Sequence, residues 1–220
     1  MTRRIGVLGG MFDPVHRGHI AAAIHAADSL CLAAVKLVPC GIPNHRRAAI
    51  GASLHRVAML QSVLEIDDRL EIDRIEIDRP GTSYAEQTLR LLKAQSPQDR
   101  FVFILGIDAF NGITHWHNWQ QLMGLCHFLV LHRDGENVRQ STATELGLQQ
   151  RLVTAANDMF QHPAGKVMLD NEFASPGSST EVRARLAAGD DMGDLLHPAV
   201  ASYIHKHNLY TEQVTDSQSE

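Results

Sequence analysis

The feature that most limits how this chain can fold stands at its beginning. An apolar run, Ile5-Gly6-Val7-Leu8, leads into Gly9-Gly10-Met11-Phe12-Asp13-Pro14-Val15-His16-Arg17-Gly18-His19. An Ala-rich helical pattern, Ile20-Ala21-Ala22-Ala23-Ile24-His25-Ala26-Ala27, follows at once. A short strand that is apolar throughout is buried on both faces, the mark of a parallel sheet covered by helices. Parallel partners need a crossover, so the next strand must come after the helix. Strand, Gly-rich loop and helix also aim backbone N–H groups and the positive end of a helix dipole at one point. Two histidines at the helix start add donors there. The first expectation is therefore a phosphate site at the N-terminal edge of a parallel sheet.

The rest of the chain keeps this rhythm. Strands are predicted at 4–9, 35–39, 101–105, 127–131 and 166–169, the run at 101–105 being the most apolar and hence central. Helical patterns cover 18–30, 53–64, 84–94, 116–124, 140–160, 176–188 and 198–207. Leu54, Val57, Ala58, Met59 and Leu60 are the apolar set of the second helix. Residues 70–78 alternate in period 2 and read as one or two amphipathic strands, with Ile72, Ile75 and Ile77 inward. Thr82 or Ser83 is placed to cap the helix that begins near 84. Alternating strands and helices define an α/β fold with a doubly wound, mainly parallel sheet, whose ligands bind at the strand carboxyl ends. No repeat or linker divides it, so one domain with a helical C-terminal portion is expected over 3–210. The polar stretch 211–220 reads as a disordered tail.

Composition narrows the partners. The 220 residues carry a net charge of −5, which argues against a general nucleic-acid or membrane-surface binder. No apolar run approaches the roughly 20 residues that cross a bilayer. Cys31, Cys40 and Cys126 show no metal or redox spacing and read as free thiols of a cytoplasmic protein.

Four segments carry chemistry. The loop at 9–19 is neither a Walker A loop nor GxGxxG. It holds His-x-Gly-His, and three readings stand for it: a phosphate cradle, a packed and capped loop, or a zinc site. The zinc reading lacks further ligands at the usual spacing. Ser178-Ser179-Thr180-Glu181-Val182-Arg183 reads as an N-cap with an acidic first turn. The same hydroxyls and helix N–H groups also suit phosphate, with Arg183 as a charged fork one turn on. His45-Arg46-Arg47 is a basic cluster in the loop after the second strand. Trp116, with Trp119 three residues on, follows the strand end Gly106-Ile107-Asp108, and is either core or a platform for a flat ring. Three of these segments begin where strands end, so they should open on one crevice.

Together the motifs resemble a known superfamily. Residues 9–19 are similar to the G-[GS]-x-F-D-P-x-H-x-G-H signature of the nucleotidylyltransferases, and residues 178–183 to its second signature, I-S-[ST]-T-x-[IV]-R. Arg79-Pro80-Gly81-Thr82-Ser83-Tyr84, Gly106-Ile107-Asp108 with Trp116, and the closing His197-Pro198, Tyr203-Ile204 and Asn208-Leu209-Tyr210 resemble the bacterial nicotinate-nucleotide adenylyltransferases. The resemblance implies a Rossmann-like fold and adenylyl transfer from ATP to nicotinate mononucleotide, with Mg²⁺ carried on the ATP phosphates. It implies His16, His19 and Arg183 as the catalytic set. Gly9, Gly10, Phe12, His45, Arg46, Gly106, Asp108, Ser179 and Thr180 would join them around ATP. Thr82, Tyr84, Trp116 and Arg133 would surround the mononucleotide. No dedicated metal ligands, nucleic acid or membrane are implied, and monomer and homo-oligomer both stay open. The nearest alternatives are an adenylyltransferase for nicotinamide mononucleotide or phosphopantetheine, a non-catalytic nucleotide binder, and a metal-dependent phosphohydrolase. The sequence departs from the family at Asn44 and Arg46, where Pro and Lys are usual. It departs again at Asp134 in place of Pro, and at Ser178, where Ile often precedes the hydroxyls.

Overall fold

The computed structural model describes residues 2–44, 49–132, 136–173 and 177–211. Six strands form one parallel sheet in the order β3-β2-β1-β4-β5-β6. They are β1 (Arg4–Gly10), β2 (Ala34–Pro39), β3 (Leu70–Ile72), β4 (Arg100–Gly106), β5 (His127–Leu131) and β6 (Val167–Asp170). The chain winds outward from β1 to β3, returns to the centre, and winds the other way from β4 to β6. The doubly wound expectation holds, and the order reverses between β1 and β4. β1 therefore lies inside the sheet, not at its edge, and the loop that leaves it opens at the switch point, where such sheets bind ligands.

Period-2 alternation splits the core in two. Leu8, Val35, Leu37, Val102, Ile104 and Leu129 face α1 (Arg17–Ser29), α2 (Ser53–Gln61), α8 (Ser179–Ala188) and α9 (Pro198–Lys206). Ile5, Val7, Phe101, Phe103, Phe128 and Val130 face α3 (Ala85–Gln95), α4 (Ile107–Asn111), α5 (Trp119–Leu125) and α6 (Gln140–Leu146). Burying both faces of six strands is the main stabilising term, since apolar area removed from water drives the fold.

Some local expectations are corrected. Of residues 70–78, only Leu70–Ile72 pairs as strand. Asp73 then turns the chain: its carboxylate accepts the Ile75 N–H at 3.1 Å and pairs with Lys36 Nζ at 2.9 Å. An aspartate that bonds the backbone two residues on favours a turn over a strand. Neither Thr82 nor Ser83 caps α3; Tyr84 is the N-cap residue, and Ser83 Oγ instead accepts the Gly41 N–H at 3.1 Å. The helical pattern at 140–160 breaks at Gly147, where φ is 58°, into α6, a short 3-10 turn and α7 (Ala156–Phe160). In α2 the apolar reading inverts at two positions. Leu54 is 75% exposed, while Arg56 is buried, 2% exposed.

Candidate active site

β1 delivers the loop of residues 11–16 to the sheet's carboxyl end. Phe12 adopts φ 49° and turns its ring back over Gly10, where a Cβ would come within 3.3 Å of the ring. That close approach explains the glycine. The Phe12 ring is fully buried and meets His19 edge-on, with centroids 4.9 Å apart. Phe12 thus supports an imidazole from behind with its side chain.

His16 is the N-cap residue of α1 and His19 lies in its first turn. Their rings are 3.7 Å apart between centroids. The His16 backbone N–H donates to His19 Nδ1 at 3.3 Å. An amide N–H can only donate, so Nδ1 must be the bare nitrogen and the ring proton sits on Nε2. The loop therefore fixes His19 as a neutral imidazole with an Nε2–H donor.

The second motif closes on the first. Ser178 caps α8, its Oγ accepting the Glu181 N–H at 3.2 Å. Ser179 Oγ donates to the Pro14 carbonyl at 3.1 Å, and Arg183 Nη1 donates to the Asp13 carbonyl at 2.6 Å. Arg183 Nη2 also donates to Thr180 Oγ1 at 3.4 Å. Capping and motif-bridging thus coexist in one helix start, and residues about 165 apart in sequence meet.

A cleft of about 320 Å³ opens there, at the carboxyl ends of β1, β4 and β5. One half of its lining is polar: His16, Gly18, His19, Ser178, Ser179 and Thr180. The other half is mainly apolar, with Leu8, Ala22, Leu105, Leu131 and Phe173 around Gly106 and His132. The first turns of α1 and α8 both contribute, and among the described residues none that lines the cleft is acidic. Two helix N-termini on one cavity form a strong anion site. Phe173 is held in the apolar wall by Asp170, whose Oδ1 accepts the Glu172 and Phe173 N–H groups at 3.0 and 3.1 Å. Its Oδ2 accepts from His25 Nε2 at 2.6 Å. Burial favours the neutral acid at Asp170, but the His25 hydrogen bond and the backbone N–H groups outweigh it and hold the carboxyl below its ordinary range.

Of the predicted ATP residues, His16, His19, Gly106, Ser179 and Thr180 line this cleft together. Gly9, Gly10 and Phe12 lie in the strand and loop beneath it, and Asp108 is exposed in the first turn of α4. Arg183 stands behind the cleft and grips the loop. Thr82, Tyr84 and Trp116 do not line the cleft. Thr82 bridges to Ile42 beyond β2, and Tyr84 stacks on His117 at 4.3 Å, next to Trp116. Trp116 is half-buried and meets Phe103 edge-on at 6.0 Å, on the same side of the sheet as Gly9, whose Cβ would sit 3.7 Å from Phe103. His45, Arg46 and Arg133 lie outside the described residues, as does the tail beyond Thr211.

Sequence reasoning missed the frame beneath the loop. Arg56 Nη1 and Nη2 donate to the Met11 and Cys40 carbonyls, both at 2.7 Å, tying the loops after β1 and β2. Asp13, to which the sequence reading gave no role, accepts three hydrogen bonds on its carboxylate, from Ile50 N–H, Gly51 N–H and the Tyr210 hydroxyl. The motif itself offered the one available signal: an aspartate set between two apolar residues and a proline.

A doubly wound sheet with two helix starts turned on one cleft, whose described lining holds no acid, is the frame of a nucleotidyltransferase, and comparison with known proteins agrees. The cytidylyltransferase-like family model matches residues 7–185. A relative from Pseudoalteromonas atlantica, named "Probable nicotinate-nucleotide adenylyltransferase", is 36% identical over 211 residues, covering 96% of each chain. One of the same name from Stenotrophomonas maltophilia is 38% identical over 210 residues, covering 92% of this chain and 94% of that one. The chain belongs to the nicotinate-nucleotide adenylyltransferase family. A solved Plasmodium falciparum nicotinic acid mononucleotide adenylyltransferase complexed with NaAD shares the fold. Its TM-score is 0.74 at 20% identity, over 97% of this chain and all of that one.

Proposed function

We propose that the protein transfers the adenylyl group of ATP to nicotinate mononucleotide, releasing pyrophosphate and forming deamido-NAD. The observation that carries this reading is the cleft at the switch point, with two helix N-termini and stacked imidazoles on one side and an apolar wall on the other. A triphosphate suits the first side and a purine the second. Membership of the family supplies the choice of mononucleotide.

The reaction asks little covalent work of the protein. An oxygen of the mononucleotide phosphate forms a bond to the α-phosphorus of ATP. The bond from that phosphorus to the β-bridging oxygen breaks, and pyrophosphate leaves with the electron pair. A phosphate monoester has its second pKa near 6, so its oxygens are largely ionised at neutral pH and need no general base. His19 suits that requirement, because its one bare nitrogen is already engaged by the loop. Its Nε2–H is a donor for charge that develops on the transferring group. His16 works beside it, Ser179 and Thr180 hold the outer phosphates with the α8 N–H groups, and Arg183 keeps the two motifs in register. Thr82, Tyr84 and Trp116 receive the nicotinate.

Mg²⁺ would be held by the ATP phosphates and water and would neutralise phosphate charge. Among the described residues no group of three or more His, Cys, Asp or Glu is arranged to hold a metal. Among the described residues, also, no helix is long and apolar enough to cross a membrane. The three cysteines are free thiols, which suits a reducing cytoplasm.

The test is pyrophosphate release with ATP and Mg²⁺, offering nicotinate mononucleotide, nicotinamide mononucleotide or neither. Release is expected with the acid, and less with the amide. No release with the acid, or equal release from ATP alone, would refute the proposal.

A further inference from the structure

The segment after α9 reaches the loop beneath the site. After α9, Asn208 at φ 49° and Tyr210 at φ 62° turn the backbone inward. A bulky residue rarely adopts such a φ, and does so where surrounding contacts hold it. Tyr210 is buried, and its hydroxyl donates to Asp13 Oδ1 at 2.7 Å. Burial and the adjoining carboxylate push its phenol up, so it remains a donor across the working pH range.

Asp13 is the node of the loop. Its buried carboxylate also accepts the Ile50 and Gly51 N–H groups at 2.7 and 2.8 Å, and its carbonyl accepts Arg183. Pro14 accepts Ser179 and Met11 accepts Arg56. Only Pro14 and Val15 separate this node from His16, whose N–H sets the His19 ring. Gly51 shows how closely the node is built: a Cβ there would lie 2.7 Å from the Tyr210 hydroxyl and 2.9 Å from Asp13 Oδ1.

We propose that Tyr210 is a positioning residue for adenylyl transfer: through Asp13 it holds the loop that sets His16 and His19. The segment Asn208-Leu209-Tyr210 thereby acquires a role in turnover, although among the described residues none after Thr180 lines the cleft. The inference rests on the proposed reaction for its kinetic readout, and on histidine ring signals for a readout independent of it.

The experiment compares wild type with Tyr210→Phe, Asp13→Asn and the double variant. It measures kcat, both KM values and the nitrogen NMR signals of the histidine rings without substrate. Tyr210→Phe is expected to stay folded, lose about tenfold in kcat through a small displacement of the loop, keep the mononucleotide KM within twofold, and shift the His16 and His19 ring signals. In the Asp13→Asn background the same change should cost less than twofold. If Tyr210→Phe does not fold, Gly51→Ala, which wedges the same node, is measured by the same readouts. A folded variant with unmoved ring signals, or an equal loss in the Asp13→Asn background, overturns the proposal. Wild type that releases no pyrophosphate counts against the reaction, and the ring signals then decide the positioning role alone.

Discussion

His19 has two jobs on two nitrogens, and two substitutions separate them. Nδ1 accepts the His16 N–H, and in the proposed reaction Nε2 carries the proton offered to the transferring phosphoryl group. Asparagine puts an amide oxygen near the Nδ1 position and leaves nothing at Nε2. Glutamine puts an amide N–H near the Nε2 position and abandons the loop bond. Loss of one preorganised transition-state donor costs about 10²–10³ in kcat, roughly 2.7–4 kcal/mol. Loss of a neutral loop hydrogen bond costs about 0.5–1.5 kcal/mol, and its 3.3 Å length points to the lower half of that range. Both variants lose the edge contact with Phe12, so their difference sets the donor against the loop bond. His19→Asn should therefore lose about 10²–10³ in kcat with a melting temperature near wild type. His19→Gln should lose about tenfold or less and melt a few degrees lower. The assay is pyrophosphate release at saturating substrates, with thermal melts alongside. His19→Asn within tenfold of wild type, or His19→Gln slower than His19→Asn, would refute the assignment of roles.

Two further outcomes follow from other contacts. Trp116→Ala should raise the mononucleotide KM about tenfold and leave the ATP KM within twofold, because Trp116 lies on the Phe103 side, away from the cleft lining; steady-state kinetics in each substrate decide it. His127 is fully buried at the start of β5, where burial drives its pKa to about 4; nearby positive charges at Arg100 and Lys166 assist, against one hydrogen bond donated to the His162 backbone carbonyl. The unfolded chain binds that proton below about 6.5 and the folded chain does not. Stability is therefore whole above pH 6.5 and falls as pH drops towards 4, by about 3 kcal/mol in all. His127→Asn, whose amide oxygen can still accept the Lys166 N–H, should flatten that acid limb in denaturant melts; an unchanged limb would assign the acid sensitivity elsewhere.

What the sequence made legible was whatever a short window encodes. β1, β4 and β5 are apolar runs whose neighbours in space do not alter the reading, and both phosphate motifs sit at helix starts with local cap chemistry. The strand reading over 70–78 shrinks to β3 because Asp73, where the alternation breaks, draws the backbone into a turn. Arg56 and Leu54 failed for a different reason. A helix in isolation puts arginine outside and leucine inside, and only the Met11 and Cys40 carbonyls, brought together by β1 and β2, make burying the guanidinium favourable. Tyr210 is the extreme case: its partner is 197 residues away, and no window contains both.

The cleft also resolves how an acidic chain handles a polyanion. With a net charge of −5, it cannot rely on a broad basic field. Its described lining holds neither acid nor permanent cation; it offers imidazoles, hydroxyls and two helix starts. The fixed cations, Arg56 and Arg183, are set behind the loop and spend donors on its carbonyls. Among the described residues charge thus holds geometry, while in the proposed reaction oriented dipoles meet the phosphates. Dipoles fall off faster with distance than charges do, so they reward a phosphate chain of the right shape more than any anion of the right charge. An enzyme that must stabilise charge only as it shifts along a phosphate chain gains from that short range, since tight holding of the ground state alone would not speed transfer.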